Sequence, residues 1–430
     1  MSTSHQEVAA ESTSILRWLA AGAAMLAFVH TGACGQTPSP RDVRATVVLV
    51  SLDGFRYDYL DRYPSPSLHR LMANGVRAPL IPVFPTKTFP NHYTVVTGLY
   101  PEHHGIVENT IYDPVFDTVF RITDTAAVAD ARWWSGEPLW ATAQTQGQIA
   151  AAYFWPGSEA PIGGVRPRYW EHYSSAVPNA TRVRQVLDWL ILPADQRPTF
   201  VTLYLSDVDS KGHDWGPDSP EVAAAILRVD SAVGMLMDGI NQRGLEGHVS
   251  VIIVSDHGMS ATSPDRVVAL DDYLTLDWLA RIIGGSPILG LWPKPGMEDR
   301  VVRALRGKHP HLAVWRKAEI PARFRYRDHR RIAPILALAD PGWSVAARRR
   351  DVTEHPERYR GGSHGYDDTL AVMRAIFLAQ GPAFNSASVA PALRNVHLYE
   401  LMARILGLTP APNDGSADSV ATLLRPAPVR

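Results

Sequence analysis

ATVVLVSLDG, residues 45–54, is an unbroken apolar run that ends on an aspartate. Two later stretches repeat the design: FVTLYLSDVD (200–209) and HVSVIIVSDHG (248–258). A strand with one wet face alternates apolar and polar side chains. Continuous runs of Val, Ile and Leu instead point to strands covered on both faces, as in a parallel sheet flanked by helices. Helical patterns lie between and around them: PSLHRLMAN ending at Gly75, EPLWATAQTQ, ATRVRQVLDWLIL and SPEVAAAILRVDSAVGMLMDGINQRG. QIAAAYFWPG and RAIFLAQGPAF read as further strands, and HLYELMARILGL as a late helix. This alternation predicts an α/β fold with a mostly parallel central sheet and helices on both faces. Residues 260–360 lack the rhythm, are rich in Arg, Pro and Trp, and read as a cap-like insertion.

With 430 residues, 46% of them apolar and 20% charged, the chain can bury a sizeable core. Its 42 basic and 43 acidic residues leave no global field to attract nucleic acid or anionic lipid, so any polyanion must be neutralised locally. The basic clusters RFRYRDHRR (323–331) and ARRRD (347–351) are expected to form a solvated face.

The N-terminus departs from this average. WLAAGAAMLAFV (18–29) follows Arg17 and is shorter than the roughly 20 apolar residues of a spanning helix, so it fits a secretory signal. TGAC sets Cys34, the one cysteine, where a bacterial lipoprotein signal would be lipidated, although Thr31 replaces the usual leucine. The chain is expected to be exported, periplasmic or outer-membrane-anchored in a Gram-negative bacterium. Residues 1–34 are read as the signal peptide, 35–43 as a tether and 44–430 as the catalytic domain.

Ligands of open parallel sheets bind beyond the carboxyl ends of the strands. Asp53, Asp209 and Asp256 would meet there and repel one another unless a cation sits among them. An aspartate at a strand end is also simply a good loop starter. The histidines tip the balance: His213 lies four residues after Asp209, His257 directly follows Asp256, and His364 stands in GGSHGYDD before the chain returns to the core. Six nitrogen and oxygen ligands without cysteine suit two zinc ions with open positions. Two such ions about 4 Å apart can clamp the attacking and leaving oxygens of a displacement at phosphorus.

Thr88, in FPTKTFPNHY, opens a helical run. It can be a helix cap, or a nucleophile whose hydroxyl a bound metal has made less basic. The free N–H groups of a helix start also favour a phosphoryl oxygen. The local residues leave both readings open.

KTFPNHYTVVTGLYPEHHGIVEN (87–109), followed by the Asp–His pairs in order and by WWSGEPLW, FWPGSEAP and ADPGWSV, closely resembles the nucleotide pyrophosphatase/phosphodiesterase family of the alkaline phosphatase superfamily, in its bacterial, single-catalytic-domain form. The resemblance implies an alkaline-phosphatase-like fold and two Zn2+ per chain. One would be held by Asp209, His213 and His364, the other by Asp53, Asp256, His257 and the nucleophile Thr88. Asn109 would hold a non-bridging phosphoryl oxygen. The implied chemistry is attack by Thr88, a phosphothreonyl ester, then hydrolysis to a phosphate monoester. Substrate contacts would come from Phe89, Asn109, Trp155 and Tyr173, with Phe89 and Tyr173 sandwiching a base. The expected partner is a small nucleotide or other phosphodiester, not a specific nucleic acid sequence, and a membrane only through Cys34. A phosphomonoesterase, a lipid-headgroup phosphodiesterase and a non-catalytic tethered binding protein are the alternatives.

Overall fold

The computed structural model describes residues 44–426. The signal, Cys34 and tether readings fall outside the described residues.

The main sheet contains β1 (Thr46–Leu52), β2 (Val76–Ile81), β3 (Ala150–Tyr153), β4 (Tyr169–Glu171), β5 (Phe200–Leu205), β6 (Val249–Val254), β7 (Ala375–Gln380) and β8 (Ser388–Val389). Their order is β8-β2-β7-β6-β1-β5-β3-β4, with Leu393–Arg394 also on β2. β1, at the centre, pairs parallel with both β5 and β6. Among the described strands of this sheet, only β7 runs against its neighbours. The fold is therefore α/β with a mostly parallel sheet.

All seven residues of β1 are buried, and their alternation feeds two cores. Val47 and Leu49 face the layer that holds α1 (Thr88–Thr97) and the late helix Leu398–Leu406. Val48, Val50 and Leu52 face the layer of Asn179–Trp189 and Pro220–Gln242. Burial on both faces is what the unbroken apolar runs required.

The strand ends are knitted together before any side chain is considered. The Asp53 N–H donates to the Leu205 carbonyl at 2.9 Å, and the Asp209 N–H donates to the Asp53 carbonyl at 3.0 Å. At Gly54, φ is +69° and a Cβ would lie 2.8 Å from the Asp209 Cα. Glycine thus permits both the left-handed turn and the close approach of the two loops.

Residues 260–360 contain a second sheet of four antiparallel strands, ordered Leu279–Gly285, Ile288–Pro293, Ile335–Ala339, Leu312–Arg316. It carries its own small core, including Leu291, Val301, Leu312 and Ile335. The segment then returns through Gly361–Ser363, antiparallel to Ser260–Thr262, and so delivers His364 to the rim of the main sheet.

The basic cluster 323–331 is not the solvated face that its composition suggested. Arg331 is buried and donates to Asp113 Oδ2 at 2.6 Å and to the carbonyls of Gly105 and Trp133 at 2.8 and 2.6 Å. Arg330 also reaches Asp113, Arg325 reaches Glu102, and Arg323 pairs with Asp367. Arg325, Arg330 and Arg331 tie the insertion to the segment that follows α1, and Arg323 ties it to the stretch after His364.

Candidate active site

Asp53 leaves β1, Asp256 leaves β6, and β5 runs into α2 (Asp207–Trp215), which carries Asp209 and His213 on successive turns. Thr88 is the first residue of α1, and Lys87 is its N-cap without a side-chain cap bond. The Thr88 hydroxyl therefore does no capping. It lies 3.3 Å from His257 Nε2. The nearby Thr86 hydroxyl is engaged by the Gly365 N–H and the Tyr366 carbonyl.

Three imidazoles share one orientation. The Nδ1 atoms of His213, His257 and His364 face the carbonyls of Gly362, Gly258 and Thr86 at 2.9, 2.9 and 2.8 Å. A carbonyl only accepts, so each Nδ1 carries the hydrogen and each Nε2 turns into the site. His213 Nε2 and His364 Nε2 are 3.1 Å apart. Asp209 Oδ1 is 3.4 Å from His213 Nε2 and 3.7 Å from His364 Nε2. His257 Nε2 stands 2.9 Å from Asp256 Oδ2 and 3.5 Å from Asp53 Oδ1.

Burial, then the charges of Asp256 and Asp209, push the Asp53 carboxyl well above its ordinary range. Burial would also raise Asp256, but the neighbouring His257 and His92 hold it well below. For His257, burial works against the proton, yet Asp256 raises its affinity. Burial and the two other imidazoles keep His364 neutral. Among the described residues, Asp53 Oδ1, Asp209 Oδ1 and Asp256 Oδ2 are buried without a hydrogen-bond partner. Convergent lone pairs and unpartnered carboxylate oxygens are costly on their own and fit divalent cations. The donor atoms of Asp209, His213 and His364 lie within 4.8 Å of one another, as do those of Asp53, Asp209 and His257. The structure thus brings Asp53, Thr88, Asp209, His213, Asp256, His257 and His364 to one rim.

The Asn109 side-chain oxygen accepts from the Phe89 N–H at 2.9 Å, which leaves its amide hydrogens for another acceptor. Phe89 packs against Phe120 and Trp134. Tyr173 is 50% exposed and rests edge-on against Tyr204, whose hydroxyl donates to Asp53 Oδ2 at 2.5 Å. Trp155 does not offer the open face expected of a substrate contact. It is only 3% exposed, and its indole N–H donates to the His92 carbonyl at 3.1 Å, so it braces α1 from below.

Three supporting residues carried no role in the sequence reading. His92 has Nδ1 on the Thr88 carbonyl and Nε2 on Ser51 Oγ, so both nitrogens are engaged behind the carboxylates. The spacing of four from Thr88, one helical turn, was the available signal. Buried Lys87 donates to the Ser286 carbonyl at 3.0 Å and stands 3.8 Å from Glu108. Nothing in sequence spacing links Lys87 to Ser286 or to Glu108.

A family model described as Type I phosphodiesterase / nucleotide pyrophosphatase matches residues 47–367. The chain belongs to this family. Human ectonucleotide pyrophosphatase/phosphodiesterase family member 5 is 38% identical over 383 residues, covering 89% of this chain and 78% of that protein. The venom phosphodiesterase CdcPDE of Crotalus durissus collilineatus is also 38% identical, and the chain spans 47% of its length, about half. Among solved structures, mouse family member 5, an inactive Thr→Ala variant in complex with AMP, superposes with a TM-score of 0.84 at 38% identity. That match covers 89% of this chain and all of the mouse chain.

Proposed function

We propose that this chain hydrolyses phosphodiester and pyrophosphate bonds of nucleotides, releasing nucleoside 5′-monophosphates, with Thr88 as nucleophile and two Zn2+ on the rim. One observation carries the reading. The Thr88 hydroxyl stands at a helix start, free of capping duty and beside a set of carboxylates with unpartnered oxygens. The relatives lend further support, since the mouse structure combines an inactivating threonine substitution with bound AMP.

Asp209, His213 and His364 would hold one cation, and Asp53, Asp256 and His257 the other, next to Thr88. Bound there, the cations supply positive charge to the attacking and leaving oxygens and lower the proton affinity of a neighbouring hydroxyl. Thr88 Oγ forms the new bond to phosphorus as the leaving oxygen departs on the opposite side. Water then cleaves the threonyl ester and restores the hydroxyl. Throughout, the free amide hydrogens of Asn109 donate to a non-bridging oxygen, while the Phe89 N–H fixes the amide's orientation. Tyr173, half-exposed, offers its ring to the base. Export, with Cys34 as the anchor point, belongs to the same proposal and is checked by the N-terminus and mass of the mature chain.

The decisive experiment is a product-resolved assay of Thr88→Ala against the parent, with metal analysis of both. The variant should keep its metal and lose turnover by about 10⁴-fold or more, as when a nucleophile is removed elsewhere. Unchanged turnover would remove the covalent step.

A further inference from the structure

Beside His213 a cavity of about 480 Å3 opens to solvent, lined by Lys211, Trp215, Arg358 and Arg360 together with Asp214 and Glu357. From Thr88 the rim runs through His257, whose ring stacks on His364 at 3.5 Å, to His213, where the cavity begins. In an in-line displacement the breaking bond points away from the nucleophile. In the reading above Thr88 stands beside the Asp53, Asp256 and His257 group, so the leaving oxygen falls to the side of Asp209, His213 and His364, and His213 lines this cavity.

The wall is held in place by close backbone packing. A Cβ at Gly361, where φ is +82°, would fall 2.0 Å from the His213 carbonyl oxygen, and one at Gly362 would fall 2.6 Å from that of Gly212. The Gly362 carbonyl in turn accepts from His213 Nδ1–H. Arg360 is thus tethered two residues from the Gly362 carbonyl that orients a proposed metal ligand.

Charge selects the occupant. Three cations face two carboxylates, and both carboxylates are engaged: Asp214 lies 3.4 Å from Lys211 and Glu357 lies 3.3 Å from His355. The guanidinium groups of Arg358 and Arg360 have no hydrogen-bond or ion-pair partner among the described residues, although both line the cavity. The larger cavity on the other side of α2, about 640 Å3, contrasts with this. There Arg182 is committed to the carbonyls of Val177, Tyr204 and Ser174, and Arg228 to Asp207.

We infer that the cavity beside His213 is a leaving-group subsite in which Arg358 and Arg360 hold the phosphates of an anionic leaving group such as pyrophosphate. Substrates whose leaving group carries phosphate are favoured over those that release an uncharged alcohol or a phenolate. The inference rests on the phosphodiesterase reading and deepens it.

The test uses the metal-loaded protein and two substrates, ATP and the p-nitrophenyl ester of thymidine 5′-monophosphate. Arg358→Ser/Arg360→Ser should lower kcat/KM for ATP by about tenfold or more, the scale of a lost charge-assisted hydrogen bond, and leave the p-nitrophenyl ester within about twofold. Arg348→Ser/Arg350→Ser removes the same charge elsewhere on the insertion and should leave both substrates unchanged. Equal losses on the two substrates, no loss on ATP, or an equal loss in the second variant would overturn the subsite. Calorimetric titration with inorganic pyrophosphate provides a readout that does not need turnover. Affinity at least about tenfold weaker in Arg358→Ser/Arg360→Ser supports the subsite, and unchanged affinity overturns it. Wild-type protein that cleaves neither substrate would sink the phosphodiesterase reading, and the pyrophosphate titration would still decide the cavity.

Discussion

Two buried carboxylate clusters handle their charge in opposite ways. Asp113 is fully buried and receives the guanidinium groups of Arg330 and Arg331 and the N–H groups of Val115 and Phe116. Burial alone would raise its pKa, but those arginines hold its carboxyl well below the usual range. At the rim, Asp53 and Asp256 are equally buried, yet each turns an oxygen without a hydrogen bond toward the other donors. The first cluster is complete within the chain. The second leaves carboxylate oxygens without a partner among the described residues and is the candidate metal site, so the same residue type meets burial in two different ways.

Chelation should separate the two most sharply. Removing divalent ions should take hydrolysis to background and lower the unfolding midpoint, because the rim carboxylates then face one another uncompensated. Asp53→Asn sharpens the contrast. In metal-loaded protein it should lower turnover by more than about 100-fold, exceeding the loss typical of an outer-shell partner. In chelated protein it should leave stability unchanged or raise it, since it removes a carboxylate that its neighbours repel. A lower midpoint in the chelated variant would show that the rim satisfies its own charge.

The complete cluster should respond to loss of its buried cation instead. Arg331→Met removes the buried cation of Asp113, leaves it only the part-exposed Arg330, and frees the carbonyls of Gly105 and Trp133. Denaturant unfolding should show a loss of about 3 kcal/mol, the scale of a broken buried pair, with or without chelator. A loss that vanished with chelator present would tie the cluster to the rim and end the distinction.

The rim was legible in the sequence and the clamp was not, for a physical reason. Runs such as VIIVSD announce both a buried strand and its acidic end, and strand ends of a parallel sheet gather at one edge whatever the loops between them do. Asp113 and Arg331 are 218 residues apart and lie in segments without periodicity, so composition suggested only a solvated basic face. The antiparallel direction of β7 was equally hidden, because a buried run reads the same whichever way it points. The burial of Trp155 is hidden for a related reason. Its motif gives the residue type but not which side of α1 the ring occupies.

Protons offer a gentler probe. Burial, then the positive charge of Arg331 and Arg330, lowers His329 to about 4. Burial and the nearby His329 lower His104 to about 3. Both folded values lie below the unfolded value of about 6.5, so the unfolded chain takes up protons first and stability rises with pH across that window. Acidification from about pH 6.5 to about pH 4 should therefore destabilise the protein through these histidines, whereas Asp113 begins to contribute loss only below about pH 3.9. Urea midpoints of wild type and His329→Gln over this range should converge as pH falls. A constant difference would mean that His329 is not held neutral.

The smallest effect tests whether burial or charge makes the clamp. Arg330 and Arg331 share Asp113 Oδ2, at 2.8 and 2.6 Å, but the Arg330 side chain is 43% exposed and the Arg331 side chain 1%. If pairing with a buried acid were enough, the two substitutions would cost alike. Solvent screens the outer guanidinium, and Arg331 still compensates Asp113 when Arg330 is gone. Arg330→Ala should therefore cost under about 1 kcal/mol, within the range of exposed pairs. A loss as large as that of Arg331→Met would make Asp113 dependent on two cations at once, and the clamp would then resemble the rim in needing more positive charge than one partner brings.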